Sequence, residues 1–233
     1  MNKEQLEQLK KELKISNDKI IREEAEMVFL AELAEDKISS RLVFYGGTAL
    51  RLVYDSPLFS EDIDLIETEA ISPVDFKKFV IKVATKYGWK LSDIKDKRRT
   101  IFALLNIKDE NLKHSFSLKI EIHKPAKKIK LSSKLEIIKS PVSILSPLLL
   151  VATLSELKKM KEAALANRQK ARDVFDLWYI ARKLRIDFVL PQNTPKFKER
   201  EFKNELQVFL PFNYYQTVKQ LYEQVNERNK TIS

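Results

Sequence analysis

Apolar residues recur at helical spacing over residues 3–14 and again over 18–35. In the second stretch Met27, Leu30, Ala31 and Ala34 share one face, and Ser16 or Asn17 stands where a cap belongs. The pattern then shortens. LVFY (42–45) reads as a buried strand, Thr48–Tyr54 as a helix opening from Gly46-Gly47, and Glu61–Ile66 as the next strand. Ser72-Pro73 supplies N-cap and first-turn chemistry for a helix that Gly88 ends, with Phe76, Phe79, Val80 and Val83 as its inner stripe. Further strands are expected near 100–107, 115–123 and 135–138.

From Ser146-Pro147 onward the pattern is helical almost to the end. LLLVATLSELKKMKEAAL, KARDVFDLWYIARKL, KEREFKNELQVFL and YYQTVKQLYEQV each carry helical apolar spacing. The expected fold is therefore α+β, a lobe with a small mixed sheet over 1–140 followed by a helical bundle over 141–233. There is no internal repeat and no low-complexity segment.

Composition narrows the chemistry. At 233 residues, 44% hydrophobic and 33% charged, the chain has the make-up of a globular protein with a sizeable core. No apolar run approaches the roughly 20 residues that span a bilayer, and the charged start MNKEQLEQLKKELK is unlike a secretory signal, so a cytoplasmic location is expected. Without cysteine there is no disulfide, thiolate site or thiol nucleophile. Two histidines leave little room for a zinc site, so metal chemistry would fall to carboxylates and a hard ion such as Mg²⁺ or Mn²⁺. The net charge of +10 favours a polyanionic partner, with denser basic stretches at KDKRR (95–99) and HKPAKKIK (123–130). Either stretch also reads as a solvated loop.

The chemistry concentrates in FYGGTALRLVYDSPLFSEDIDLI, residues 44–66, which holds two of the three glycines. Residues two apart in a strand face the same way, so Asp62 and Asp64 project together while Ile63 and Leu65 enter the core. Two carboxylates about 5 Å apart repel by roughly 3 kcal/mol at an effective dielectric of about 20, a cost that a bound cation removes. A bare D-x-D can also be two hydrated aspartates. The glycines shift that balance, because Gly46-Gly47 at a strand-to-helix turn lets backbone N–H groups approach an anion, with the Thr48 hydroxyl beside them. A phosphate cradle next to a metal site is equipment for a nucleoside triphosphate. In SFSLKIEIHK, Leu118, Ile120 and Ile122 alternate with Lys119, Glu121 and His123, which puts Glu121 on a polar face. If that strand pairs with the aspartate strand, Glu121 completes a triad as metal ligand and proton acceptor. His123 reads as a solvated or capping residue, and His114 as a loop residue.

GGTALRLVY…FSEDIDL, followed by MKEAALANRQKARDVFDL, resembles the AbiEii/AbiGii toxin family, nucleotidyltransferases of the polymerase-β-like superfamily that includes the MenT-like toxins. The resemblance runs from about Leu42 to Lys183 and implies a polymerase-β-like lobe ahead of the helical one. It implies triphosphate binding at Gly46, Gly47 and Thr48, with Ser60 of FSEDIDL among the nucleotide-binding residues. Divalent metal on Asp62, Asp64 and, by position, Glu121 follows from it as well. A phosphate-binding lysine best matched by Lys161 is also implied, and an R-D-x-x-D-L motif matched by Arg172, Asp173, Asp176 and Leu177. Lys158 and Lys159 lie close enough to compete for the lysine role. One departure is Leu58, where the family often has arginine. The implied activity is Mg²⁺-dependent transfer of NMP from an NTP to RNA, with tRNA as the expected acceptor, by a toxin with a cognate antitoxin. Transfer to a small molecule or protein side chain, or a non-catalytic nucleic-acid or antitoxin adaptor, are the alternatives.

Overall fold

The computed structural model describes residues 1–126, 130–192 and 194–231. Of the basic stretch 123–130, residues 127–129 lie outside the described residues. The chain divides into two compact units: Met1–Asp55 with Phe59–Thr153, and Ser56–Leu58 with Leu154–Ser233.

The first unit opens with α1 (Lys3–Leu13), whose Asn2 and Gln5 side chains cap each other's backbone N–H groups, and α2 (Asn17–Ala34). Ile20, Met27, Phe29, Leu30 and Leu33 of α2 are fully buried. After β1 (Leu42–Tyr45), helix α3 (Gly46–Tyr54) follows with no intervening loop, and β2 (Asp62–Glu67) comes next. Helix α4 (Pro73–Tyr87) starts under a Ser72 cap that accepts from the Asp75 N–H, and it stops at Gly88, φ +66°. Phe76, Phe79, Val80 and Val83 form its buried face as their spacing predicts, each contributing about 1.5–3 kcal/mol of burial.

Strands β3 (Lys90–Lys97), β4 (Thr100–Ile107), β5 (Phe116–His123), β6 (Ser133–Ile137) and β7 (Leu148–Ala152) complete a seven-stranded mixed sheet, ordered β3-β4-β5-β2-β1-β7-β6. Strands β1 and β2 pair antiparallel, whereas β2 pairs parallel with β5. That parallel pair sits mid-sheet, and it governs the site.

Two readings of the pattern change. LLLVA does not open a helix: it is β7, held between β6 and β1, and helix α5 starts only at Leu154. An unbroken apolar run satisfies helical and strand spacing alike, so only its partners decide. KDKRR is not a surface loop: Lys95, Asp96 and Lys97 end β3, and Arg98-Arg99 turn the hairpin into β4. As an edge strand β3 is polar and largely exposed, which removes the alternation that would mark it.

The second unit is helical: α5 (Leu154–Arg168), α6 (Ala171–Leu184), α7 (Glu199–Gln207) and α8 (Tyr215–Thr231). Its core gathers Leu165, Val174, Phe175, Leu177, Phe202, Leu206, Val218 and Leu221, together with Leu58.

Candidate active site

The glycine pair is explained atom by atom. Gly46 has φ +85°, a region that other residues avoid, and a Cβ built on it would lie 2.4 Å from Asp64 Oδ2. A Cβ on Gly47 would lie 2.9 Å from Ser60 Oγ. The glycines therefore let the first turn of α3 rest directly on Asp64 and Ser60. Tyr45 at the N-cap position gives that turn no side-chain hydrogen bond, so the cap leaves the leading N–H groups of α3 to other partners. Thr48 differs from the sequence expectation. It is fully buried, and its hydroxyl donates to the Asp62 backbone carbonyl, so the side chain ties α3 to β2.

The register of β2 against β5 places Asp64 opposite Glu121 and Asp62 opposite Lys119. By strand alternation all four side chains share one face, while Ile63, Leu65, Ile120 and Ile122 fill the other. The expected triad thus occupies neighbouring backbone positions of two paired strands. A fourth residue joins it. Lys119 Nζ lies 2.8 Å from Asp62 Oδ2 and 3.2 Å from Glu121 Oε2. Burial works against the ammonium charge, but the hydrogen bonds and charge of Asp62 and Glu121 outweigh it and hold the Lys119 pKa above its ordinary value. Among the described residues no three Asp, Glu or His groups lie together as a metal cage. The donor set nevertheless suits a cation, since one is already bound to two of its members.

Buried charges brace the site from behind. Lys19 reaches Glu61 at 2.6 Å, next to Asp62 in sequence. Glu23 accepts from Arg51 at 2.8 Å and from Ser140 at 2.6 Å, while the Arg51 guanidinium also lies 3.9 Å over the Phe59 ring. Glu26 is buried with one carboxylate oxygen lacking a partner. Burial first, then repulsion from Glu23, pushes its pKa well above the usual carboxylate range. Lys19, Glu23 and Lys119 escape sequence reasoning because they pair across elements, and Glu26 because only the fold buries it. Only Lys119 left a trace, as a polar neighbour of Glu121 on an alternating strand.

The second-motif residues lie in the helical unit. Lys161 is buried, 2.5 Å from Asp176 Oδ2 and 3.3 Å from Asp173 Oδ1, and Arg168 adds a bond to Asp173 at 2.7 Å. Asp173 and Asp176 are buried as well. Burial raises the Asp176 pKa despite its lysine, whereas Arg168 and Lys161 overcome burial at Asp173 and lower it. Arg172 does not pair with Asp176. It stacks 4.5 Å over Phe209 and lies 3.6 Å from Glu205. Lys158 and Lys159 pair with Glu162 and Glu156 of their own helix.

Two solved structures share this fold. JHP933 from Helicobacter pylori is similar over 94% of this chain and 100% of its own, at 21% identity and a TM-score of 0.52. A second H. pylori structure, provisionally described as a nucleotidyltransferase, matches 94% of this chain and 99% of its own at 18% identity and a TM-score of 0.55. Residues 28–216 match the nucleotidyl transferase AbiEii toxin family of type IV toxin–antitoxin systems, and the chain belongs to that family. No curated protein matched. Among the described residues no helix is long and apolar enough to cross a membrane.

Proposed function

We propose that the protein transfers an NMP unit from an NTP to RNA, with tRNA as acceptor, in a metal-dependent reaction, and that it acts as the toxin opposite a cognate antitoxin. The observation that carries this reading is the contact of Gly46 with Asp64 in a strand register that sets Asp64 beside Glu121. It joins an anion-binding helix start to a carboxylate cluster. The charge of +10 supports a polyanionic acceptor, and family membership supports the toxin role.

In this proposal the backbone N–H groups of Gly46, Gly47 and Thr48 receive the triphosphate, with Ser60 beneath Gly47. Asp62, Asp64 and Glu121 hold Mg²⁺ or Mn²⁺. When bound, such an ion lowers the pKa of an acceptor hydroxyl and neutralises charge on the phosphates. Glu121 would accept the proton of the acceptor hydroxyl as its oxygen attacks the α-phosphorus in line, and the bond to the β-phosphate breaks to release pyrophosphate. In the helical unit, Lys161 is the proposed phosphate-binding cation, with Arg172, Asp173 and Asp176 as further nucleotide-binding residues.

The test incubates the pure protein with each labelled NTP, total tRNA and Mg²⁺. Label is expected in RNA, and it disappears in Asp62→Asn and Asp64→Asn proteins whose circular dichroism and melting match the wild type. Label in a small molecule or in protein would move the acceptor to that class. Undiminished turnover in either variant refutes the metal assignment.

A further inference from the structure

We infer that Lys119 is a tethered counter-ion: it occupies the cation position on Asp62 and Glu121 in the resting protein, and a divalent ion must displace it to bind. The second half rests on the metal reading above; the first half does not. Backbone pairing sets Lys119 directly opposite Asp62, and strand alternation returns the polar face at Glu121, two residues on. A lysine at this one position can therefore bridge two carboxylates of different strands, and it does so at 2.8 and 3.2 Å. An ordinary surface pair joins one charge to one charge and is worth little. Here a single ammonium touches two members of a cluster whose mutual repulsion it relieves. Its side chain is 32% exposed, so water is available on one side for it to swing into.

The arrangement couples metal to nucleotide. A bare divalent ion competes with a tethered cation of high local concentration, so it binds weakly alone. An ion that arrives with a triphosphate brings an anion that can receive the displaced ammonium. Metal and nucleotide then each strengthen the other's binding, as thermodynamic linkage requires.

The test measures Mn²⁺ binding by paramagnetic resonance or calorimetry, without nucleotide and with a non-hydrolysable NTP analogue, beside melting in EDTA. Lys119→Met keeps the length and removes the charge. It should bind Mn²⁺ alone roughly tenfold more tightly than wild type, the effect of losing a competing cation at this range, and should lose most of the analogue's enhancement. Lys119→Arg should stay close to wild type. Lys124→Met, removing a lysine that pairs with Asp96 just past the end of β5, should change Mn²⁺ affinity less than about twofold, which separates direct competition from general charge. In EDTA, Lys119→Met should melt lower than wild type, and adding Asp62→Asn should recover part of the loss. Unchanged or weaker Mn²⁺ affinity in Lys119→Met, with wild type binding normally, overturns the displacement and leaves the metal reading standing. Absence of Mn²⁺ binding by every protein, with or without nucleotide, overturns the displacement and the metal reading together. Unchanged melting in EDTA overturns the counter-ion itself.

Discussion

Gly46 is the residue on which the turn and the carboxylate cluster both depend, because its missing side chain is the space in which Asp64 sits. Gly46→Ala places a methyl group on that carboxylate and forces a left-handed backbone conformation costing about 1–2 kcal/mol. The expected outcome is a lowered melting temperature together with loss of nucleotidyl transfer, measured by calorimetry and label incorporation. Gly88 has the same kind of backbone, but a Cβ there would meet nothing within 4 Å, so Gly88→Ala should lower melting alone. Glu26 offers a second test at this scale. Its folded pKa lies above the ordinary 4.5, so the neutral carboxyl suits the fold. The stability this provides is complete below the unfolded pKa and is lost as pH rises through the folded one. Glu26→Gln, permanently neutral, should therefore melt higher than wild type at pH 7–8, and the gain should vanish near pH 4, where Glu26 is protonated in both states. An equal gain at both pH values would show that charge is not the cause.

At the scale of elements, the α5–α6 pair is held by an ion cluster rather than by an apolar seam alone. Lys161 joins Asp173 and Asp176 across the two helices inside the protein, and the second Asp176 oxygen has no hydrogen-bond partner. Removing one partner of a buried pair strands the other, so Lys161→Ala should cost about 3–5 kcal/mol of stability in urea unfolding. Lys158→Ala and Lys159→Ala, which break only pairs within their own helix, should cost no more than about 0.5 kcal/mol. The phosphate role separates from the structural one in the double variant Lys161→Met with Asp176→Leu. Replacing a buried pair with apolar groups often restores stability, and it does so without restoring a cation. Recovered melting with nucleotide affinity still reduced roughly tenfold or more, the scale of one charge-assisted hydrogen bond, is the expected result. Recovery of both would confine Lys161 to holding the helices.

For the whole molecule, an excess of ten positive charges makes association with a polyanion salt-dependent whatever the sequence recognised. Affinity for total tRNA, followed by filter binding, should fall roughly tenfold or more between about 50 and 200 mM salt, because each neutralised phosphate releases counter-ions. Affinity that does not respond to salt would remove the electrostatic argument for an RNA acceptor.

Much of this was legible in the residues alone, for reasons that are local. Alternation in SLKIEIH, the cap and stop of α4, and the strand-to-helix glycines each depend on neighbours within a few positions, and each element formed where its pattern placed it. Asp62 and Asp64 share a face because the strand period is two, whatever surrounds them. The rest required partners distant in sequence. LLLVA became a strand because β1 and β6 flank it, and Asp173 and Asp176 became buried because Lys161 of another helix meets them. The same holds for Lys119. Its alternation with Glu121 was visible, but its place opposite Asp62 follows from the parallel register of β2 and β5, which no local pattern encodes. Local chemistry therefore decided which groups the site contains, and tertiary pairing decided which of them touch, because hydrogen-bond register and burial are properties of two segments and never of one.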